Sequence, residues 1–158
     1  MQMSDHGRDL LAQWEGFKTI VYKDIVGIPT IGVGHALTQA EQSAGAVNID
    51  GTAVPYANGI TVDQVKALLS CDLHRYEAAL NDAIAVDLQQ NQFDALCSFC
   101  FNVGIGGFQG STLLKDINNS NFTAIPADLR MWDKAGGQVS TGLLNRRNNE
   151  VQLWMGQI

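Results

Sequence analysis

Residues 14–35 read WEGFKTIVYKDIVGIPTIGVGH, and this stretch decides the fold. Residues 19–22 and most of residues 28–33 are β-branched or aromatic, and turn-forming residues, glycine among them, lie between the two runs. Two such runs separated by a turn predict a β-hairpin. Because no other part of the chain has a strand pattern, this hairpin is the only β structure that the sequence predicts.

A short helix is predicted directly before the hairpin. Leu10, Leu11 and Trp14 share one face at helical spacing, Ser4 is a good N-cap, and Gly16 ends the helix. A helix that ends where a hairpin begins would gather the helix end, the hairpin turn and the return strand around one hollow.

Three residues at these positions carry functional groups: Glu15 at the helix end, Asp24 in the turn and Thr30 on the return strand. Two carboxylates in different settings suit the hydrolysis of a glycosidic bond, because one stays protonated while the other stays ionised. The helix dipole and the apolar neighbours Trp14 and Phe17 favour Glu15 as the acid. The turn would keep Asp24 ionised. On spacing alone, the three residues are also compatible with a solvated surface.

Length and composition limit the classes of protein to consider. The 158 residues suit one domain with a real core, and 46% hydrophobic with 16% charged residues is typical of globular proteins. A net charge of −6 without a basic run disfavours binding to nucleic acid. No apolar stretch approaches the ~20 residues of a membrane span, and residues 1–6 lack a signal-peptide pattern. We therefore expect a soluble protein without stable membrane insertion.

The three cysteines, Cys71, Cys97 and Cys100, are expected to be reduced, because an odd number without an export signal favours thiols. Cys97 and Cys100 form a C-x-x-C pair, which could indicate a redox or zinc site. They lie in an apolar stretch at helical spacing, residues 93–101, with no further ligands nearby. Buried thiols are the favoured interpretation, and no cofactor is predicted.

Outside the hairpin most of the chain is helical in pattern, and residues 36–60 are predicted to be an irregular connector. Thr61 and Gln64 form a capping box that begins a long helix ending near residues 79–85. Four more helices are predicted. The first covers residues 89–103 and is stopped by glycines at 104–107, and the second covers residues 111–117. The third runs from an N-cap at Thr123 to near Lys134, and the last begins at about Gly142 and carries Leu144, Val151, Trp154 and Ile158 on one side. One small hairpin among about six helices predicts an α+β fold.

Three blocks of the sequence resemble the phage-type lysozymes, the muramidase family of endolysins. That family's pattern is Glu, eight residues, Asp or Cys, five residues, Thr and a Gly-x-Gly-His turn. The glutamate, aspartate and threonine named above match it, followed by the turn at residues 32–35. Residues 91–104 resemble the core helix of the family's large lobe, and residues 142–147 resemble its C-terminal arginine segment. The blocks run in family order and span nearly the whole chain.

The resemblance implies a lysozyme-like fold within a single catalytic domain. A small N-terminal hairpin lobe at about residues 16–60 would be joined by a helix at about residues 61–82 to a larger helical lobe. That lobe would contain about residues 83–158 and the N-terminal helix. The implied substrate is peptidoglycan, cleaved at the β-1,4 bond between N-acetylmuramic acid and N-acetylglucosamine.

The resemblance also implies a role for each residue of the triad. Glu15 would protonate the leaving oxygen, Asp24 would stabilise positive charge on the sugar ring, and Thr30 would hold a water on the opposite face. Members of the family generally invert, in agreement with a carboxylate separation of roughly 6.5–9.5 Å. A lytic transglycosylase, which forms an anhydro product without water, and a non-catalytic glycan-binding module are the alternatives. The intact triad favours hydrolysis.

Gly34 and His35 lie in the Gly-x-Gly-His turn and are expected to support the site. Asp72 falls on the apolar side of the long helix, where an unpaired charge is costly. The family pairs the histidine of this turn with an acid on that helix, so the resemblance implies a His35–Asp72 ion pair. A metal site at His35 is not expected, because no second ligand stands at a usable spacing.

Arg146, Arg147 and Asn102 are the remaining candidates. Spacing alone leaves it open whether both arginines belong to a solvated surface. The resemblance places Arg146 near the acid, where it would hold Glu15 in position. Arg147 lies nearer the apolar stripe of the final helix, which makes it the less suitable of the two. It makes Asn102 a cleft-lining amide that hydrogen-bonds N-acetyl or hydroxyl groups of the sugar.

Two features depart from the family pattern. Many cell-wall enzymes are basic, whereas this chain has a pI near 4.8. The connector at residues 39–59 is longer than in compact relatives. Some relatives also carry an N-terminal signal-anchor, which this sequence does not show. Without such an anchor, the protein is expected to stay in the host cytoplasm until a holin permeabilises the membrane and then to act on the cell wall in the periplasm. We also expect it to be a monomer.

Overall fold

Seven helices and seven short strands make up the chain, and the computed structural model describes all residues, 1–158. The strands form three separate antiparallel sheets, so the predicted α+β class is confirmed. The chain divides into a hairpin unit, residues 8–74, and a helical unit, residues 1–7 and 75–158. Two helices, α1 (Asp5–Glu15) and α3 (Val62–Ala83), supply residues to both units.

The hairpin unit is built around a three-stranded sheet in the order β1-β2-β3. Its elements after α1 are β1 (Lys18–Lys23), β2 (Pro29–Gly32), β3 (His35–Ala36), α2 (Gln39–Ala44), β4 (Ala46–Ile49), β5 (Thr52–Pro55) and the first part of α3. Strands β1 and β2 are the predicted hairpin. Strand β3 adds a second partner for β2, so that Thr30 lies opposite Tyr22 on one side and Ala36 on the other.

The prediction of an irregular connector at residues 36–60 was wrong. The segment begins with the last residue of β3, Ala36, and continues as α2, capped by Thr38 and Glu41, and the β4–β5 hairpin. In β4 the buried Val47 and Ile49 alternate with the exposed Asn48, which is the period of a half-buried strand. The high content of alanine, glycine and asparagine hid this short alternation.

The predicted starts of α1 and of the long helix α3 are confirmed. Ser4 Oγ accepts a hydrogen bond from the Gly7 amide at 3.0 Å, as an N-cap does. At the start of α3, the Thr61 amide donates to Gln64 Oε1 at 2.8 Å, and the Gln64 amide donates to Thr61 Oγ1 at 3.1 Å. These reciprocal bonds form a capping box, and α3 ends at Ala83 within the predicted range.

The helical unit contains the remaining helices and a two-stranded ribbon. Its elements after α3 are α4 (Gln90–Gln109), α5 (Thr112–Asn118), α6 (Ile125–Arg130), β6 (Lys134–Ala135), β7 (Gln138–Val139) and α7 (Thr141–Trp154). Helix α4 packs mainly against α7, and α6 packs against both α7 and α5. The predicted starts of α5 and α7 agree with their N-caps, Ser111 and Ser140.

Four details of the helical unit differ from prediction. Gly104, with φ 81° and ψ 159°, breaks α4 as expected, but helical structure resumes and brings Phe108 into full burial. Thr123 is not an N-cap, because α6 begins at Ile125 and the Thr123 hydroxyl donates to Asn121 Oδ1. Helix α6 ends at Arg130 rather than near residue 134, and the β6–β7 ribbon follows. Ile158 lies beyond α7 and is 42% exposed.

The three cysteines are free thiols, and the C-x-x-C pair lies in the core. Cys97 and Cys100 have no exposed surface, and burial raises the pKa of the Cys100 thiol to about 12. A thiol with so high a pKa is a poor nucleophile and metal ligand. The full burial of both thiols agrees with the interpretation of the pair as packing residues. None of the helices is both long and apolar enough to cross a bilayer.

Candidate active site

Glu15 is the last residue of α1, as predicted, and Gly16 follows it with φ 70°. The apolar surroundings predicted for the Glu15 side chain are only partly present. Glu15 is exposed, Trp14 is half-buried, and Phe17 is 45% exposed where the chain enters β1. The end of α1 therefore presents the carboxylic acid to solvent, where it can reach a bound molecule.

Asp24 organises the turn between β1 and β2. Its Oδ1 accepts hydrogen bonds from the Val26 amide at 2.9 Å and the Ile28 amide at 2.8 Å, while its own amide donates to the Ile28 carbonyl at 3.0 Å. Its Oδ2 receives no hydrogen bond from the protein. The carboxylate is therefore held in one orientation with one oxygen available to a ligand.

Thr30 lies in the middle strand of the sheet and is only 3% exposed. Its hydroxyl donates a hydrogen bond to the Ile28 carbonyl oxygen at 2.9 Å. Because the hydroxyl hydrogen is used in this bond, Thr30 Oγ1 can interact with a further group only as an acceptor. It is suited to receiving a hydrogen bond from a water molecule.

Asp24 and Thr30 are both fixed on the same residue. The Asp24 carboxylate binds the Ile28 amide, and the Thr30 hydroxyl binds the Ile28 carbonyl. Two side chains tied to one residue cannot shift independently of each other. Together with Glu15, all three predicted catalytic residues lie in the hairpin unit.

Gly32 and Gly34 form the turn that leads from β2 to β3. Their φ values of 65° and 69° lie in the left-handed region, which favours glycine over residues with a side chain. Gly34 is exposed, and a Cβ atom there would meet no other atom within 4 Å, so its backbone conformation alone explains the residue. The turn places His35 at the start of β3.

His35 lies between two carboxylates. Its Nδ1 is 2.9 Å from Asp72 Oδ1, and its Nε2 is 3.2 Å from Glu41 Oε2. The predicted pair with Asp72 is therefore present. Sequence reasoning missed Glu41, although Thr38 and Glu41 have the spacing of a capping box and their reciprocal bonds form one in the structure.

The two carboxylates favour the protonated, charged form of His35. The pKa of His35 is raised above its ordinary 6.5, chiefly by the hydrogen bond with Asp72. Burial acts in the opposite direction, and Glu41 adds to the rise. Burial acts to raise the pKa of Glu41, but hydrogen bonds from Thr38, Asn48 and His35 outweigh it and lower that pKa below 4.5.

We expect the cluster of His35, Asp72 and Glu41 to stabilise the protein most between about pH 4.5 and 6.5. The His35 contribution is complete below its ordinary pKa of 6.5 and is lost as pH rises through the raised folded value. The Glu41 contribution is complete above 4.5 and is lost as pH falls through the lowered folded value. His35→Asn should therefore reduce the free energy of unfolding by about 1.5–3 kcal/mol within this window and by less at pH 9.

Denaturant unfolding of the wild-type and variant proteins from pH 4 to 9 measures this effect. His74→Asn is the matched control, because His74 is an exposed histidine of the same unit and should contribute little at any pH. A His35 contribution that does not depend on pH would contradict the account. So would a His35 imidazole that titrates in NMR at or below 6.5.

The helical unit holds the remaining candidates, Asn102, Arg146 and Arg147, and these two arginines are not solvated. Arg147 has no exposed surface, and the Arg146 side chain is 10% exposed. Both bind the fully buried Glu150: Arg146 Nε donates to Glu150 Oε1 at 3.1 Å, and Arg147 Nε is 2.9 Å from Glu150 Oε2. Arg146 Nη2 also donates to the Ser98 carbonyl at 3.2 Å.

Sequence reasoning missed Glu150. Its spacing of three and four residues from the two arginines on α7 is the signal that could have identified it. Burial raises the pKa of Glu150, while the two guanidinium groups and the Ser98 hydroxyl oppose the rise and favour the carboxylate. Asn102, on α4, is exposed and accepts a hydrogen bond from Arg147 Nη2 at 2.9 Å. No group of three or more His, Cys, Asp or Glu side chains is arranged to hold a metal ion.

Comparisons with known proteins all point to one family. The model of the phage lysozyme family matches residues 12–150. The endolysin of Salmonella phage P22 is 39% identical over 155 residues, which cover 98% of this chain and 99% of that protein. The endolysin of Bacillus phage PZA is 35% identical over 98% of this chain, and the match spans 55% of that longer protein.

The solved structures agree with the sequence comparison. The crystal structure of a mutant of P22 lysozyme superposes with a TM-score of 0.83 at 39% identity, covering 98% of this chain and 99% of that chain. A TM-score of this size over nearly the whole of both chains shows that the two have the same fold.

Proposed function

Because the chain belongs to the phage lysozyme family, we propose that Glu15, Asp24 and Thr30 are its catalytic residues. Family membership makes the protein an endolysin with the activity of a lysozyme, a muramidase that hydrolyses peptidoglycan of the bacterial cell wall. The fold is that of the phage lysozymes. We infer that the bond cleaved is the β-1,4 bond between N-acetylmuramic acid and N-acetylglucosamine.

The shared anchoring of Asp24 and Thr30 on Ile28 is the observation that carries the assignment. A hydrolase that positions a water needs a carboxylate and a second polar group held in fixed relation, and one residue of the turn fixes both. A solvated surface would not require a 3% exposed threonine in the middle strand of the sheet.

The proposed mechanism gives each residue one task. Glu15, presented at the end of α1, donates a proton to the leaving glycosidic oxygen. Asp24 places the charge of its carboxylate near the developing oxocarbenium ion and helps to orient the water. Thr30 Oγ1 accepts a hydrogen bond from that water, which attacks the anomeric carbon from the opposite face and inverts its configuration. The proton that the water loses passes to the Asp24 carboxylate, which balances the proton that Glu15 gives to the leaving oxygen.

Thr30→Val tests the role of the hydroxyl. Valine keeps the β-branched shape that suits a strand but cannot accept a hydrogen bond, so we expect a folded protein with kcat reduced roughly 10²-fold, as for a misplaced reactant. Thr30→Ser, which keeps the hydroxyl, is the matched control and should retain most of the activity. Equal activity of the valine and serine variants would remove Thr30 from the mechanism.

Thr30→Glu is a second variant with a qualitative outcome. A carboxylate at this position would stand near the anomeric carbon in place of the water. We expect it to form a covalent glycosyl adduct, which intact-protein mass spectrometry would detect after incubation with peptidoglycan. A folded Thr30→Glu protein without an adduct would count against the placement of the water at residue 30.

The supporting residues are assigned by the same proposal. Gly34 shapes the turn, the His35–Asp72 pair ties that turn to α3, Arg146 is a supporting residue, and Asn102 hydrogen-bonds the glycan. We further propose that the protein acts as a monomer. It would remain in the host cytoplasm until a holin permeabilises the membrane and would then reach the cell wall from the periplasm.

A further inference from the structure

An open groove of about 680 Å³ lies within the helical unit. Its walls come from the start of α4, from residues 122–126 where α6 begins, and from the end of α7. None of the residues that line the groove is charged, and none belongs to the hairpin unit that holds the proposed catalytic residues. Pockets of roughly 300–1,000 Å³ with apolar walls and a few oriented polar groups are the usual sites of small ligands. The groove therefore has the size and composition of a ligand site that the proposed mechanism does not use.

Asn91 offers a hydrogen-bond acceptor to this groove. Its Nδ2 donates to the Leu153 carbonyl at 3.1 Å and to the Trp154 carbonyl at 2.8 Å. Because a carbonyl oxygen can only accept, the NH2 group of Asn91 must face the end of α7, and both of its hydrogens are used there. Asn91 Oδ1 makes no hydrogen bond within the protein, so it is left to accept one from a ligand.

Gln92 has the opposite polarity. Its Oε1 accepts a hydrogen bond from the Gln89 amide at 2.9 Å, which caps the start of α4. Because a backbone amide can only donate, the oxygen of Gln92 must face it, and the NH2 group is left to donate to a ligand. Asn91 and Gln92 thus give the groove one acceptor and one donor, and neither amide can rotate without losing its bonds to the backbone.

Aromatic side chains form the apolar part of the groove. Phe122 and Trp154 pack edge to face, with their ring centres 5.9 Å apart. Trp154 is 4% exposed, whereas Phe122 is only half-buried, so Phe122 offers the larger surface to a ligand. The face of an aromatic ring carries partial negative charge and packs well against the C–H groups of a sugar ring.

We propose that this groove is a further glycan site, which binds an uncharged acetamido sugar with the chemistry of N-acetylglucosamine in a peptidoglycan strand. An acetamido group has one N–H donor and one C=O acceptor, which match Asn91 Oδ1 and Gln92 Nε2. The sugar ring supplies C–H groups for Phe122. The stem peptides also contain amides, but they and N-acetylmuramic acid bring charged groups for which the groove has no partner.

The charge of the whole chain gives such a site a use. The chain has a net charge of −6, and the carboxylates of peptidoglycan repel a protein of this sign. A contact between uncharged groups holds the protein on the glycan strand without adding to that repulsion, and salt does not screen it. The groove therefore anchors the enzyme to the wall through residues other than those that carry out catalysis.

Gln92→Glu removes the donor and leaves the helix cap intact. The glutamate still accepts from the Gln89 amide, and its charge is favourable at the start of a helix, so the variant should fold. Its second carboxylate oxygen cannot donate. We expect the Kd for triacetylchitotriose to rise roughly three- to tenfold, about the effect of one lost hydrogen bond. Gln64→Glu, the same change at the corresponding capping position of α3, should leave the Kd unchanged.

NMR titration of the Glu15→Gln protein measures this binding without cleavage of the probe. Triacetylchitotriose contains neither a peptide nor a charge. It should shift the side-chain amide signals of Gln92 and the indole signal of Trp154, with the same Kd at low and high salt. Shifts confined to the hairpin unit, no shifts at millimolar probe, or equal Kd values for the wild-type and Gln92→Glu grooves would overturn the proposal.

Cellotriose tests the acetamido group, because it has the same linked sugar rings without N-acetyl groups. It should bind the groove more weakly than triacetylchitotriose, and equal binding would overturn the roles of Asn91 and Gln92. The groove contains no catalytic residue. Wild-type turnover by Glu15→Gln would therefore defeat the catalytic assignment and leave the groove as proposed, whereas loss of groove binding would leave the catalytic assignment intact.

Discussion

Glu15→Gln is expected to fold normally and to lose a factor of about 10²–10⁴ in kcat, the usual contribution of a general acid. Glutamine has nearly the shape of glutamate but no proton to donate to the leaving oxygen. The side chain is exposed at the end of α1, so its replacement should not disturb the core. The decrease is measured as release of reducing ends from purified peptidoglycan.

Asp63→Asn is the matched control for this variant. It neutralises another exposed carboxylate of the hairpin unit and changes the net charge by the same amount. Its activity should equal that of the wild type, which would exclude a general effect of charge on wall binding. Activity of a folded Glu15→Gln protein within a few-fold of the control would refute the assignment of the acid.

Glu150→Gln is expected to cause the largest loss of stability, about 3–5 kcal/mol, because it leaves two arginines beside an uncharged group in the protein interior. Arg146, Arg147 and Ser98 all donate to Glu150 Oε1. A glutamine amide would meet these donors with at most one oxygen. For a chain of this length, the loss corresponds to a decrease in Tm of about 6–20 °C.

Glu15→Gln serves as the control for stability, because it is the same substitution at an exposed position and should leave Tm nearly unchanged. Thermal unfolding followed by circular dichroism measures both variants. An unchanged Tm for Glu150→Gln would show that burial keeps Glu150 protonated despite its two arginines. The buried group formed by Glu150, Arg146 and Arg147 would then lack its negative charge.

The sequence was sufficient to predict those elements that depend only on residues close together in the chain. The capping box of Thr61 and Gln64 is closed by bonds between residues three apart, and the start of α3 was predicted correctly from it. The β1–β2 hairpin follows from two β-branched runs and a turn. The connector at residues 36–60 was missed because its strands are only four residues long and their composition favours loops.

The surroundings of the charged residues depend on partners far away in sequence and were predicted less well. Arg147 is buried because Phe99 and Asn102, more than forty positions earlier on α4, receive its guanidinium group. No spacing within α7 contains that information. The second carboxylate beside His35 comes from Glu41, whose position depends on the fold of α2 against β4.

The products formed in water enriched in ¹⁸O test the central claim most directly. If the protein is a muramidase that activates water beside Asp24 and Thr30, each cleavage should yield an N-acetylmuramic acid reducing end that carries one ¹⁸O atom. The first anomer seen by NMR should be the inverted one. Products with 1,6-anhydro ends and no ¹⁸O would contradict the claim and show a lytic transglycosylase. A retained anomer would remove the direct attack by water that the roles of Asp24 and Thr30 require.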